Sequence, residues 1–270
     1  MITLSIDDKL PAAKETVSIM RSIDPNGTHI AEKNPEKALE LAEEMRPDIV
    51  WLDIEMAGKN GLDVAAKIKT LSPFTNIVFV TGYQEYALDA VQMHVSGFLL
   101  KPVTKEKLLN EIVNLRRPVF REKNAALQVQ CFGNFEVFHE GNPVHFARRM
   151  SKELFAYLID RRGAGCTTSE LCAVLWEDRP ADTGLKSQCR NLIRTLRASL
   201  QSVGAGDVIV KGWSTIGVDC DKVDCDYYDY LRGDIYTINA FRGEYMTQYS
   251  WAEMTIGSLH QKTGEMANFF

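Results

Sequence analysis

Several things are missing from this 270-residue chain, and each absence excludes a class of protein. No apolar run approaches the roughly 20 residues that span a bilayer, so no membrane partner is expected. There is no internal repeat and no low-complexity tract, which excludes solenoids and collagen-like or disordered scaffolds. None of the six cysteines forms a C-x-x-C pair, so a thiolate zinc site is not expected. All six (Cys131, Cys166, Cys172, Cys189, Cys220, Cys225) lie beyond residue 130. The opening Met-Ile-Thr-Leu-Ser-Ile-Asp-Asp breaks into acids too early for an export signal. A cytoplasmic protein with reduced, core-filling thiols is therefore expected. Acids are missing in one place: from Thr183 to Leu200 there are Lys186, Arg190, Arg194 and Arg197 and no carboxylate, although the net charge is −5. What remains is ordinary, 45% hydrophobic and 25% charged, with length for about two domains.

The organising stretch is Asp48-Ile49-Val50-Trp51-Leu52-Asp53, an apolar run that ends on a carboxylate and is followed by Gly58 and Gly61. Such a run reads as a buried strand of a parallel sheet, and in open α/β sheets chemistry collects at the carboxyl ends of strands. Three other runs end on useful residues: Ile2 to Ile6 on Asp7-Asp8, Ile77 to Val80 on Thr81-Gly82, and Phe98 to Leu100 on Lys101-Pro102. Helical stretches lie between them: 11–22, a helix capped by Asn34-Pro35, 61–70, 84–93, and one capped by Thr104. Strand–helix alternation of this kind predicts a doubly wound parallel sheet.

Residues 1–117 resemble the receiver domain of two-component response regulators. The acidic pair, Asp53 with its D-I-x-M-x-G-x-x-G-L loop, the Thr and the Lys-Pro all stand in the family's order. One departure is Met56-Ala57 where most receivers have Met-Pro, which is expected to loosen the loop. The resemblance implies a flavodoxin-like, five-stranded fold, with Asp53 accepting a phosphoryl group from a sensor histidine kinase. It implies Mg²⁺ (or Mn²⁺) on Asp8, Asp53 and the Glu55 backbone carbonyl, with Asp7 acting through a metal-bound water. Lys101 would hold phosphoryl oxygens, Thr81 would donate its hydroxyl, and the small Gly82 would leave room beside it. Lys101-Pro102 would be cis. Thr81 and Phe98 would form the switch, Phe98 moving inward where a plain core phenylalanine would stay put. Phosphorylation would then assemble a homodimer through the 84–93 helix, the last strand and the 104–115 helix.

Residues 118–126 are polar and read as a linker. From Leu127 the period becomes two, with Leu127-Val129-Cys131 and Phe135-Val137 around a Glu140-Gly141-Asn142 turn. Helices follow over 150–162, 168–176 and 183–201, then a hairpin over 207–218 with Gly212-Trp213-Ser214 at its middle. Sheet, three helices and hairpin is the layout of a winged helix-turn-helix. Phe132-Gly133-Asn134-Phe135, the 151–158 run, Leu175-Trp176 and the 192–197 run resemble SARP-type winged helices of the OmpR/PhoB class over 127–225. Residues 226–270, with Gly243-Glu244-Tyr245 and Ser250-Trp251-Ala252-Glu253, resemble the opening of a bacterial transcriptional activation domain.

On the 183–201 helix, Leu185, Cys189, Leu192, Leu196 and Leu200 form an apolar stripe, with the bases on an adjacent face. Placed in a winged motif, this is the helix that enters the major groove of double-stranded DNA. Arg190, Asn191 and Arg194 are candidate base readers, with Ser187 beside them; Lys186, Arg197 and Lys211 are candidate phosphate contacts. Fold analogy extends the partners to RNA polymerase through the 177–182 loop. Trp213 either inserts at the wing or packs beneath it, and packing is favoured. Asp219, Asp221, Asp224 and Asp226 lack the glycine and twelfth-position glutamate of a calcium loop and read as caps and solvated acids. The leading expectation is an α/β receiver plus an α+β winged helix: a phosphorylation-controlled transcription regulator. The alternative is a receiver whose second half binds protein and no DNA. An enzyme beyond receiver self-phosphorylation and dephosphorylation is not expected, because 127–270 hold no nucleophile–base pair.

Overall fold

The computed structural model describes residues 1–57, 59–119, 127–180 and 182–267. Chain contacts divide these into two compact units, one built on 1–119 with Ile238–Ala240, the other on 127–237 with Phe241–Glu265. Most of the expected 118–126 linker, and residue 181 of the loop expected to touch RNA polymerase, lie outside the described residues.

The first unit runs β1 (Ile2–Ile6), α1 (Leu10–Ile23), β2 (Thr28–Glu32), α2 (Pro35–Met45), β3 (Ile49–Leu52), β4 (Glu55–Met56), β5 (Lys59–Asn60), α3 (Gly61–Leu71), β6 (Asn76–Thr81), α4 (Ala87–Gln92), β7 (Gly97–Leu100) and α5 (Lys105–Val113). Its five-stranded parallel sheet has the order β2-β1-β3-β6-β7, the doubly wound architecture that strand–helix alternation predicts. The strand β3 is central and wholly buried, which is why Ile49 to Leu52 is apolar without alternation. Leu52, Ile6 and Phe79 pack with Ala38 and Ala42 of α2 and Val64, Ala65 and Ile68 of α3. Each fully buried large side chain contributes about 1.5–3 kcal/mol relative to exposure. The Asn34 side chain accepts from the Glu36 and Lys37 amides, and that of Thr104 accepts from Lys107, so both expected caps form. The expected 84–93 helix is shorter and begins as a 3₁₀ turn, Gln84–Tyr86, before α4.

One polar feature of this unit escaped the sequence. Glu111 of α5 is half-buried and accepts a hydrogen bond from the Phe98 backbone N–H. Its carboxylate occupies the space at Gly97, where an added Cβ would lie 1.9 Å from Glu111 Oε2. Burial pushes the Glu111 carboxyl from an ordinary 4.5 up to about 7, against the opposing pull of the Phe98 amide.

The second unit runs β8 (Leu127–Gln130), β9 (Glu136–His139), β10 (Asn142–Pro143), α6 (Arg149–Asp160), β11 (Cys166–Thr167), α7 (Thr168–Leu175), α8 (Thr183–Gln201), β12 (Ile209–Lys211), β13 (Thr215–Val218), β14 (Asp224–Cys225), α9 (Asp226–Arg232) and most of α11 (Glu253–Ala267); α10 (Ile235–Ala240) begins in it and ends on Ile238–Ala240 of the first unit. One sheet has the order β10-β9-β8-β14, with β14 parallel to β8; a second, antiparallel, has the order β11-β13-β12. The stripe Leu185, Cys189, Leu192, Leu196 and Leu200 is buried along its whole length, so α8 seats against α6 and α7 on the face expected for it. Asp182 caps α8 by accepting from the Leu185 amide at 2.7 Å.

The expected boundary at 225/226 falls inside this unit. Asp226 is no solvated acid: its carboxylate accepts from the amides of Cys131 (2.8 and 3.0 Å), Phe132 (3.0 Å) and Tyr227 (2.7 Å). Tyr245 and Thr255 hydroxyls both donate to Asp160 at the end of α6, and the Tyr228 hydroxyl donates to Ile159 O. No helix among the described residues is long and apolar enough to cross a membrane.

The Glu111 site carries a pH signature. Because the folded carboxyl titrates near 7 and the unfolded one near 4.5, the folded state holds the extra proton between these values. That proton's contribution is complete below about 4.5 and is lost as pH rises through about 7. Glu111→Gln should therefore flatten the decline of thermal stability between pH 5 and 8, read by paired melting curves of variant and wild type.

Candidate phosphoryl-acceptor site

Parallel register brings the strand ends together. Ile6 pairs with Leu52, so Asp7 and Asp53 leave β1 and β3 side by side; Thr81 pairs with Leu100, so Lys101 follows next to Thr81. Backbone bonds extend this alignment past the strands, with Asp53 N–H donating to Ile6 O at 2.9 Å and Lys101 N–H to Thr81 O at 2.9 Å. Gly61, at the start of α3, is demanded by the same packing: a Cβ there would sit 2.2 Å from Asp53 O.

The Lys101 ammonium bridges the two carboxylates, donating to Asp7 Oδ2 at 2.7 Å and to Asp53 Oδ2 at 2.8 Å. The other oxygens are held by backbone amides: Lys9 N–H donates to Asp7 Oδ1 and Ile54 N–H to Asp53 Oδ1. Asp8 joins them, and one carboxylate oxygen from each of Asp7, Asp8 and Asp53 lies within 4.8 Å of the others. Burial raises the Asp53 carboxyl above its ordinary value, with Lys101 opposing and Asp7 adding to the rise. Burial also works against the Lys101 charge, but the bonds to Asp53 and Asp7 outweigh it and lift the ammonium above its ordinary value. The Lys101-Pro102 peptide is cis, as the resemblance implied.

Thr81 is fully buried, and its hydroxyl oxygen accepts from the Tyr83 amide at 3.3 Å. Phe98 is half-buried against the core and pairs in register with Phe79. The Glu55 side chain is exposed but not merely solvated, because its Oε1 accepts from the Tyr86 hydroxyl at 3.1 Å. A Cβ on Gly82 would meet open space, so the chain leaves room beside Thr81. The Ala57 N–H donates to Asp8 Oδ2 at 3.0 Å, a bond that proline lacks the hydrogen to make.

The expected DNA-facing residues divide into two groups. Arg190, Arg194 and Arg197 of α8 line one cleft with Lys211, Gly212 and Trp213 of the hairpin. Lys186, Ser187 and Asn191 lie on α8 outside that cleft, and Asn191 Oδ1 accepts from Arg194 at 3.2 Å. Arg197 is half-buried and donates to Ile209 O at 3.2 Å, so it clamps α8 to β12. Trp213 does not pack beneath the hairpin; it is fully exposed, at 103%. A second cluster, Cys131, Cys225 and Asp226, places its ligand atoms equally close, but the Asp226 oxygens are taken up by the three amides above.

Residues 3–113 match the response regulator receiver domain model, and this part of the chain is a receiver domain. The chain is 35% identical over 113 residues to a sensory transduction protein LytT of Enterococcus faecalis, covering 42% of this chain and 46% of that protein. It is 36% identical over 121 residues to the positive alginate biosynthesis regulatory protein of Pseudomonas aeruginosa, covering 44% and 48%. The chain thus spans about half the length of the curated relatives it matches. Among solved structures, a DNA-binding response regulator of the LuxR family from Staphylococcus aureus aligns at 27% identity and TM-score 0.38, covering 41% of this chain and 94% of that one. The response regulator TrrA of Thermotoga maritima in complex with Mg²⁺-BeF aligns at 25% identity and TM-score 0.37, covering 41% and 95%. The receiver model stops at residue 113 and assigns nothing to the second unit.

Removing the central cation exposes the repulsion it offsets. Lys101→Met should destabilise the first unit by about 1–3 kcal/mol at neutral pH. Adding Asp53→Asn should recover part of the loss, both read by urea denaturation.

Proposed function

We propose that the protein is a phosphorylation-controlled transcription regulator, and the observation that carries this is the convergence of Asp7, Asp8, Asp53 and Lys101 at one edge of the sheet. Asp53 is the phospho-acceptor. Phosphoryl transfer asks a protein for positioning and charge neutralisation rather than covalent machinery, and this edge supplies both. One Asp53 oxygen is fixed by the Ile54 amide, which orients the carboxylate, while Lys101 is in place to hold the transferred phosphoryl oxygens. Three clustered oxygen donors with no nitrogen or sulfur among them suit a small hard cation such as Mg²⁺ or Mn²⁺. Asp8 and Asp53, with the Glu55 carbonyl, would hold it directly and Asp7 through water; when bound, it neutralises the acceptor and the incoming phosphate. The donor is a phosphohistidine on a sensor kinase.

Phosphorylation adds about −1.5 to −2 charge beside Thr81 and Lys101. The Thr81 hydroxyl, turned toward that charge, gives up space that Phe98 takes. Leu88 and Val91 of α4, 66% and 69% exposed, offer the apolar part of a homodimer face that this switch would strengthen.

The second unit we read as a SARP-like, OmpR/PhoB-type winged helix over 127–225, with 226–270 as its C-terminal support. The cleft between α8 and the hairpin favours DNA over a protein partner, because arginines and a lysine line it and no carboxylate does. In this reading α8 enters the major groove with Arg190, Asn191 and Arg194 toward base edges and Ser187 beside them, while Lys186 and Lys211 meet phosphates. Arg197 serves first to position α8, given its bond to Ile209 O.

Incubation with radiolabelled acetyl phosphate and Mg²⁺ should label the wild type, and Asp53→Asn or a chelator should abolish the label. In gel retardation, Lys211→Ala should flatten the slope of log K against log[salt] by about 0.9. A wild-type chain that neither takes up label nor retards duplex DNA at low salt would refute the reading.

A further inference from the structure

The hairpin between β12 and β13 presents its largest apolar side chain to water. Gly212 N–H donates to Thr215 O at 2.9 Å, closing a tight turn, and a Cβ on Gly212 would lie 2.5 Å from Thr215 Oγ1. That turn leaves Trp213 fully exposed at the rim of the cleft. Indoles bury 150–250 Å² when they find a partner, and they favour places where one end is apolar and the other wet. The surroundings say what such a partner is. Apart from half-exposed Val210, no exposed large hydrophobic residue lies in the hairpin, so there is no apolar patch of the few hundred Å² that a protein partner would use. Beside the indole is the cleft of about 370 Å³ whose charged lining is Arg190, Arg194, Arg197 and Lys211.

A row of phosphates matches that cleft in sign, and a row of phosphates is what separates the two grooves of a duplex. An element on the far side of the row from a helix in the major groove stands over the minor groove. The tip of the hairpin has that relation to α8. We propose that Trp213 is an apolar wedge that enters the minor groove and partly unstacks one base step beside the segment contacted by α8. This rests on the DNA-binding reading given above. Apolar side chains used in this way kink the duplex, at a cost that is lowest at flexible pyrimidine–purine steps. Trp213 would therefore select TA or CA steps at a fixed distance from the bases that α8 reads, without reading their hydrogen-bonding edges.

The test uses the full chain and a duplex enriched by the wild type from a randomised pool, probed with permanganate, which oxidises unstacked thymines. The wild type should make one thymine outside the α8 footprint reactive, at a TA or CA step. Trp213→Ala should lose that reactivity and bind about tenfold more weakly, with an unchanged salt slope because no phosphate contact is lost. Trp213→Phe should keep both. The indole has no intramolecular role to lose, so these variants fold. If Trp213→Ala binds as tightly as wild type, or if wild type exposes no thymine, the wedge is refuted while DNA binding stands, leaving the indole to a protein partner. If the wild type enriches no duplex at all, the DNA-binding reading fails and the wedge fails with it.

Discussion

Three carboxylates held within 4.8 Å of one another are the constraint around which the first unit is arranged. Two like charges about 4 Å apart repel by about 4 kcal/mol at an effective dielectric near 20. Lys101 offsets this by bonding two of the three acids at once, and its ammonium is held there by the end of β7. The parallel register of β1, β3, β6 and β7 exists on its own hydrophobic terms, but it also delivers each charged group to the same edge. A sheet slipped by one residue would turn Leu52 and Ile6 outward and separate the acids, so core packing and site geometry fail together. In formal charge the three carboxylates outnumber the one ammonium that bridges two of them.

The second unit solves a different problem with the same means. Its sheet is closed by β14, only two residues long, and the fastening is the half-buried Asp226, whose carboxylate collects backbone N–H groups from across 95 positions of sequence. Burial pushes that carboxyl up to about 6, while the amides of Phe132, Cys131 and Tyr227 pull it down. An acid that spans so much chain ties the C-terminal helices to the first strand of the unit, and Tyr245 and Thr255 repeat the connection at Asp160. Basic α8 can then leave its charged face in water, because its apolar stripe is fully occupied.

Much of this was legible in the sequence for identifiable reasons. Asp7, Asp53, Thr81 and Lys101 each end an apolar run, and alternating helices force the strands parallel, so their convergence follows from pattern alone. The caps Asn34 and Thr104 and the α8 stripe announce themselves by residue type and spacing. What stayed hidden depends on contacts across the fold. Glu111 looks like any helix acid until Gly97 opens space for it, and Asp226 looks like a solvated cap until β8 is laid beside it. The strands β11 and β14 are too short to show a period of two. Arg197 sits on the basic face by spacing, yet its bond to Ile209 O turns it inward, and the position of Trp213 was decided by the turn at Gly212.

The alanine at position 57 changes how the loop after Asp53 is kept in place. A proline there would stiffen the loop through its own ring, indifferent to its neighbours. Here the hold is a single amide resting on Asp8, so the loop is only as firm as that carboxylate's remaining lone pairs allow. The amide that makes this bond lies four residues before α3 begins. In this chain the acidic edge and its neighbouring loop therefore share one carboxylate.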